Sequence, residues 1–375
     1  MVLNVGLLYN IKKELSDDDI DDKYLEFDTT ETIRAVMRAI ANNGYNVIPI
    51  EADESVYEKL KNSDIDIVFN MAEGINGESR ESHVPTILEI LEIPYTGSGP
   101  MTLAICLDKA RTKEILSYYK IPTPKFQVFY SKDDKLDSRL KFPLIVKLLH
   151  EGSSMGLKDD SVVKDKKTLI RKIEYLIKNY SQPALVEEFI DGREFTVAIM
   201  GNENPIVLPI IEICFDSLPK RANKIYSYEA KWVWDKPENP LDIFVCPAKL
   251  SKKQYDALSK IALHAYRVLG CLDWCRIDIR MNKRGMPFIL ELNPIPGILP
   301  NPADNSCFPK AARAAGFTYD QLIGRVLDIA IKRYNIRNSS SKRLPKIFRT
   351  NHKGSLDSKI HKGFCVQKTQ SVFSD

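Results

Sequence analysis

Histidine is scarce in this chain, five in 375 residues, and none stands in a Ser/His/Asp or Cys/His set that would supply a covalent nucleophile. Cysteine is little used as well. The seven present include no CxxC pair, and the nearest two, Cys271 and Cys275, lie in a run leading into a strand, where buried thiols are expected rather than a zinc site. An odd cysteine count with no leader segment points to reduced thiols in a cytoplasm. No apolar run approaches the roughly 20 residues of a membrane span. The net charge of +4 is small for this length, so the body has no general attraction for nucleic acid. The first strand-to-helix connection lacks GxGxxG, which argues against a nicotinamide dinucleotide site.

What is there centres on a hairpin predicted from Arg276 to Gly297. Both arms alternate polar and apolar residues, and the turn Asn282-Lys-Arg-Gly285 is short enough to make them antiparallel neighbours. With Asn282 opposite Pro287, Asp278 faces Glu291 and Arg276 faces Asn293 on one side of the sheet. Opposed carboxylates repel, so a cation belongs between them. Oxygen donors from Asp, Glu and Asn suit a hard ion such as Mg²⁺; the alternative is an ordinary salt bridge on a solvated face.

Ahead of the hairpin, Val2–Tyr9, Asn46–Ile50 and Asp64–Asn70 read as strands. The helices between them are one capped by Thr29 or Thr30 and one near Val56–Lys61, giving a βαβ pattern and a parallel sheet. The acidic segment 17–22 reads as a loop. Polar residues Glu73–His83 follow at a strand's carboxyl end, where open α/β sheets bind ligands. Next, the strand Pro143–Lys147 runs into Glu151-Gly-Ser-Ser-Met-Gly156. Small residues there let backbone N–H groups approach phosphate oxygens, and the Ser153 and Ser154 hydroxyls add donors, although a plain turn has the same composition and the loop is not a Walker A sequence. A strand ending in Glu187 and Glu188 precedes Asp191-Gly192, as an adenine- and ribose-binding edge would or as a simple hairpin does. The insertion 216–236 has the length of an active-site lid or of a decoration. Helices are expected over Lys253–Leu269, from Pro309, and over Leu322–Tyr334, and residues 337–375 read as a basic, disordered tail that touches RNA or lipid or is simply solvated.

Several of these stretches recur together in a known order. They are Pro94-Tyr-Thr-Gly-Ser-Gly99 with Asp108-Lys109, Val146-Lys147 with Glu151–Gly156, Glu194–Ala198, Tyr228–Lys231, Arg276-Ile-Asp278, Glu291-Leu-Asn293 and Pro309–Arg313. In that order the chain resembles the D-alanine:D-alanine ligase family of the ATP-grasp superfamily, from about residue 70 to 334. The resemblance implies an α/β fold of three units: an N-terminal domain over 1–105, a central ATP-binding domain over 106–193 and a catalytic domain over 194–336, with the tail beyond.

It also implies roles. Lys109, Lys147 and, from the lid, Lys231 would hold ATP phosphates alongside Ser154. Glu187, Glu188, Phe189 and Ile190 would line adenine, and Glu194 would take the ribose hydroxyls. Asp278, Glu291 and Asn293 would bind Mg²⁺, or Mn²⁺ in its place. Arg276 and the backbone at Gly297 would steady an oxyanion, Ser153 would lie on the donor side, and Ser306 with Cys307 would grip the acceptor carboxylate. The expected chemistry is attack of a carboxylate on the γ-phosphate, then of an amine on the acyl phosphate. Small amino acids or dipeptides are the expected partners, with no nucleic acid and no membrane, and the family suggests a homodimer. Departures gather at the first amino-acid subsite. Glu73 replaces a histidine, Trp232 a tyrosine, and the glycine-rich loop after the first strand is absent. A ligase for a different pair of molecules is therefore one rival, and a nucleotide-binding regulator without turnover is another.

Overall fold

In the computed structural model, which describes residues 2–13, 24–234, 241 and 243–336, the first third of the chain adopts the expected alternation. Strand β1 (Asn4–Tyr9), helix α1 (Thr30–Asn42), β2 (Asn46–Glu51), α2 (Val56–Lys61) and β3 (Ile67–Asn70) form a parallel sheet in the order β2-β1-β3. The Thr29 hydroxyl accepts from the Thr32 N–H and so caps α1, whose Ile33, Val36, Ala39 and Ile40 turn inward. The acidic segment 17–22, the tail 337–375 and residues 235–240 and 242 of the insertion lie outside the described residues.

Helices α3 (His83–Ile90), α4 (Pro100–Leu107) and α5 (Lys109–Tyr118) lead to a second sheet. Its strands are β4 (Phe126–Phe129), β5 (Leu144–Leu148), β6 (Val162–Val163) and, after α6 (Lys166–Tyr180), β7 (Ala184–Glu188), antiparallel in the order β4-β7-β5-β6. A third antiparallel sheet takes β8 (Gly192–Met200), β9 (Ile206–Val207), β10 (Ile211–Ile213), β11 (Phe244–Val245), β12 (Trp274–Asn282) and β13 (Pro287–Asn293). Helix α7 (Lys252–Val268) precedes β12, and α8 (Cys307–Ala314) and α9 (Tyr319–Arg333) close the described chain. Helix α8 begins two residues before Pro309. A proline in the first turn has no N–H to waste there, so it is tolerated inside the helix rather than at its start.

Trp274, fully buried at the start of β12, packs edge-on to Phe69 of β3 at 5.6 Å and to Phe308 of α8 at 5.4 Å. Each such pair adds about 0.5–1.5 kcal/mol beyond its buried area. The polar atoms of Pro94–Gly99 are consumed in the same joint. Thr96 Oγ1 accepts from Asn70 N–H and Ser98 Oγ from Leu272 N–H, while Gly97 N–H donates to Asp273. Arg333, the last residue of α9, donates to the Tyr95 and Gly97 carbonyls and to Asp273 at 2.8 Å. This motif therefore works as a structural clasp.

The β12–β13 hairpin forms with one irregularity. At the turn Met281, not Asn282, stands opposite Pro287, and the register shifts by one residue between Asp278 and Ile279. The shift restores the expected facing pairs Asp278 with Glu291 and Arg276 with Asn293, and it leaves Leu290 out of the ladder.

Candidate active site

On the hairpin, Asp278 Oδ2 accepts from Arg276 Nη2 at 3.1 Å and from Asn293 Nδ2 at 3.3 Å. Burial, reinforced by Glu291, pushes the Asp278 carboxyl above its ordinary value despite Arg276. For Glu291 burial acts in the same sense, but Lys109, Lys147 and Arg276 together pull it below. Positive charge thus does gather about the opposed acids, and two of its sources come from outside the hairpin.

Lys109 is the first residue of α5, set by Asp108, whose carboxylate caps that helix by accepting from Ala110 and Arg111 N–H groups. Its ammonium donates to the Glu151 carbonyl, tying the helix to the glycine–serine loop. Lys147, on β5, pairs with Glu187 Oε2 at 3.1 Å. The other oxygen of Glu187 is 2.9 Å from Lys113, and both partners are essentially inaccessible to solvent. Burial would raise Glu187, but the two lysines hold it at about 2. Lys113 also donates to Thr123 Oγ1 and to the carbonyl of the bulged Leu290, each at 3.0 Å. It therefore joins the strand of Glu187 to the residue beside Glu291. Sequence reasoning missed Lys113. The only available signal was a lysine four residues after Lys109, one helical turn on, which gives no hint of what it faces.

The remaining residues of the nucleotide group divide. The Glu187 carboxylate faces lysines, and Glu188 Oε1 accepts from the Lys141 N–H. The Glu188 and Phe189 N–H groups donate to Lys125 and Pro143 carbonyls. The Phe189 ring lies under Arg280 at 4.6 Å, and Arg280 pairs with Glu194 at 3.0 Å. Burial raises the Glu194 carboxyl, with Arg280 opposing. Ile190 follows β7 and is half-buried.

In the loop after β5, Ser153 and Ser154 hold positive φ of 48° and 62°, a left-handed strain costing about 1–3 kcal/mol per residue and typical of ligand-cradling turns. Ser154 Oγ donates to the Tyr226 carbonyl at 2.8 Å, and Tyr228 N–H to the Leu157 carbonyl at 2.8 Å, so the described part of the insertion is seated on this loop. That part ends in a π-helical turn, Glu229–Trp234, carrying Lys231, whose ammonium is brought down to about 8 by burial and then by Arg276. Trp232 belongs to the same turn, but its side chain lies outside the described residues.

Ser306 accepts from the Leu299 N–H and donates to the Gly297 carbonyl, both at 3.1 Å, and so shapes the loop between hairpin and α8. Cys307 opens α8, its thiol pushed to about 11 by burial, with Arg276 acting the other way. Glu73 is grouped elsewhere. Burial, then Glu81, Glu26 and Asp28, raise its carboxyl, while Arg80 opposes. Arg80 is the hub of that group, with Nη2 at 2.6 Å from Glu26 and 2.8 Å from Glu151. No set of three or more His, Cys, Asp or Glu among the described residues is arranged for a metal, so any ion here would rest on the two hairpin carboxylates and the Asn293 amide.

The chain is similar to known proteins over most of its length. A sequence profile described as D-ala D-ala ligase C-terminus matches residues 115–328. A D-alanine--D-alanine ligase of Pelotomaculum thermopropionicum is 35% identical over 317 residues, covering 82% of this chain and 93% of that protein. The uncharacterized protein y4sG of Sinorhizobium fredii is 34% identical over 310 residues, covering 80% of this chain and 87% of that one. Among solved structures, the Bacillus anthracis D-alanine--D-alanine ligase complexed with ATP superposes with a TM-score of 0.67 at 25% identity, covering 89% of this chain and 99% of the other.

Proposed function

Because this chain belongs to the D-alanine--D-alanine ligase family, we propose that it joins the carboxylate of one amino acid to the amine of another through an acyl phosphate. It is an ATP-dependent ligase with the mixed α/β architecture of its ATP-grasp relatives. The observation that carries the reading is the convergence of Lys109, Lys147 and Arg276 on Glu291, opposite Asp278.

In this reading Lys109 and Lys147 neutralise the triphosphate, and Glu187, locked between Lys113 and Lys147, aims the second of them. Two opposed, half-buried carboxylates beside a carboxamide are the donor set a hard divalent ion takes, so Asp278, Glu291 and Asn293, whose amide nitrogen here donates to Asp278 and whose oxygen an ion would take, would hold Mg²⁺. When bound, that ion supplies charge neutralisation at the phosphates. Arg276 and the backbone at Gly297 face the oxyanion formed when the amine attacks. Ser306 keeps Gly297 in place, and the insertion excludes water from the intermediate. The resemblance puts Ser306 and Cys307 on the acceptor side, in a loop about four residues longer than the family's, which supports a small amino acid such as D-alanine there; a cytoplasmic setting goes with it.

The test is ADP release and product mass spectrometry with amino acids of both hands. Glu291→Gln should abolish turnover with little loss of stability. Retained activity in that variant, or no ADP with any amino-acid or dipeptide pair, refutes the assignment.

A further inference from the structure

Arg280 continues the row of Arg276 and Asp278 along one face of β12, and it is only 3% exposed. Burying a guanidinium is costly unless its N–H groups find acceptors. Those of Arg280 reach elements far apart in the chain. Nε stands 3.0 Å from Glu194 Oε2 on β8, and Nη2 donates to the Lys224 carbonyl in the insertion. The guanidinium also lies over two rings, that of Phe189 just after β7 at 4.6 Å and that of Phe215 just before the insertion at 5.4 Å. One side chain thus touches the strand ends expected to line the nucleoside and the segment expected to cover the phosphates.

The contact with Glu194 is incomplete. Nε is buried and makes no hydrogen bond among the described residues, so its 3.0 Å approach is an ion pair off the line of a directed bond. An off-line pair does not fix how the carboxylate is turned. A buried donor left in this state beside an expected ligand site calls for a reason beyond stability.

The insertion, meanwhile, is fastened on its other side. Asn223 donates from its N–H to Asp159 Oδ1 at 2.7 Å and from Nδ2 to the Asp159 carbonyl at 2.8 Å, close to where Tyr228 meets Leu157. Those acceptors belong to the stretch between β5 and β6, whereas Arg280 belongs to the third sheet. Through Lys224 the insertion therefore bridges the two sheets.

Building on the ligase reading, in which Glu194 takes the ribose hydroxyls, we propose that Arg280 is a positioning residue that couples the nucleoside to the insertion. Ribose hydroxyls turn the Glu194 carboxylate into line with Nε. The guanidinium, completed on that side, then holds the Lys224 carbonyl and keeps the insertion seated over the phosphates. A nucleotide can tighten the insertion only through its preference for the seated arrangement, so loss of one hydroxyl weakens the effect.

Limited trypsin digestion of the full chain reads the insertion directly, because Lys220, Arg221 and Lys224 are exposed within it. It is run with Mg²⁺ and no amino acid, alone or with ATP or either of the deoxy-ATPs that lack one ribose hydroxyl. KM values for the same nucleotides come from ADP release. ATP should slow cleavage of the parent by about fivefold or more, and each deoxy nucleotide by less. The deoxy nucleotides should have a KM about tenfold above that of ATP, the worth of a hydrogen bond to a charged group. In Arg280→Met both the protection and this difference should vanish. Arg280→Lys keeps a charge beside Glu194 but has no planar fork to hold the Lys224 carbonyl as well. It should keep part of the ribose preference and lose the protection, and it decides the matter if the methionine variant does not fold. Protection by ATP as strong in these variants as in the parent, or ATP and deoxy nucleotides treated alike by the parent, overturns the coupling. ADP release would then leave the ligase reading standing. Protection that follows the ribose hydroxyls without ADP release from any amino-acid pair has the opposite consequence, upholding the coupling and sinking the ligase reading.

Discussion

Replacing Lys113 by methionine removes one ammonium from a place where three acceptors converge: Glu187 Oε1 at 2.9 Å, and Thr123 Oγ1 and the Leu290 carbonyl at 3.0 Å. Methionine has a similar length, so no large cavity results and the loss is electrostatic. Removing one member of a buried ion pair costs about 3–5 kcal/mol when the other is stranded. Here Glu187 keeps Lys147 at 3.1 Å, which limits that part, while the Leu290 carbonyl loses its donor at about 1–3 kcal/mol. Relief from burying the Lys113 charge, which is strong enough to depress its own pKa, works the other way. The balance is about 3 kcal/mol of lost stability, read by urea denaturation. The functional effect is separable. With Lys113 gone, Glu187 recentres on Lys147, and misplacement of a reacting group by about 1 Å can cost on the order of 100-fold in rate. ADP release should therefore fall at least tenfold at saturating amino acid, with a raised KM for ATP, at a temperature where the variant is folded. Stability within about 0.5 kcal/mol of the parent, or an unchanged KM for ATP, would refute the idea that Lys113 aligns Lys147 with the Glu291 strand.

Glu81 and Asp28 are both raised to about 8, by burial first, so in the folded chain they hold protons that the unfolded chain has released above its ordinary carboxylate range. Their stabilisation is fully present below that range and drains away as pH rises toward 8; Glu81→Gln should flatten this decline in a series of urea melts from pH 5 to 8, and an unchanged slope would count against it. Glu187, held at about 2, behaves oppositely: its contribution is present at neutral pH and is lost as pH falls from the ordinary glutamate value toward 2, a loss that Glu187→Gln should remove from the acid limb. Arg333→Met takes the ion-pair partner from the fully buried Asp273, which keeps, among the described residues, only the Gly97 N–H and the Asn202 amide, and frees two carbonyls of the Pro94–Gly99 clasp, so Tm should drop by an amount corresponding to about 3 kcal/mol while the KM for ATP holds. A shifted nucleotide KM in that variant would return the motif to the phosphate site. Ser306→Ala removes both ties across the Gly297 loop and should raise the acceptor KM several-fold without moving the KM for ATP; initial-rate kinetics in each substrate decide this.

The parts legible in the sequence were those fixed by neighbours along the chain. Alternation of polar and apolar residues placed the hairpin, because side chains two apart share a face, and a threonine before an apolar period placed the start of α1. The opposed acids at 278 and 291 were visible for the same reason, as was the need for positive charge near them. The strand end at Glu187 reads as an adenine-binding edge or a simple hairpin, and neither reading shows that its carboxylate meets two lysines, one from the adjoining strand and one from a helix more than 70 residues earlier. The Pro94–Gly99 run was read for its resemblance, and its task as a clasp depends on an aspartate and an arginine from the far end of the chain.

Periodicity and capping act over a few residues, so the sequence by itself determined which strands and helices form and which face each one buries. Only the tertiary structure decided that a bulge would expose the Leu290 carbonyl, that Lys113 would find it, and that Arg80 would be spent on Glu26 and Glu151. Buried charges must be paired wherever packing brings them. Their partners are chosen by how sheets and helices distant in sequence come together.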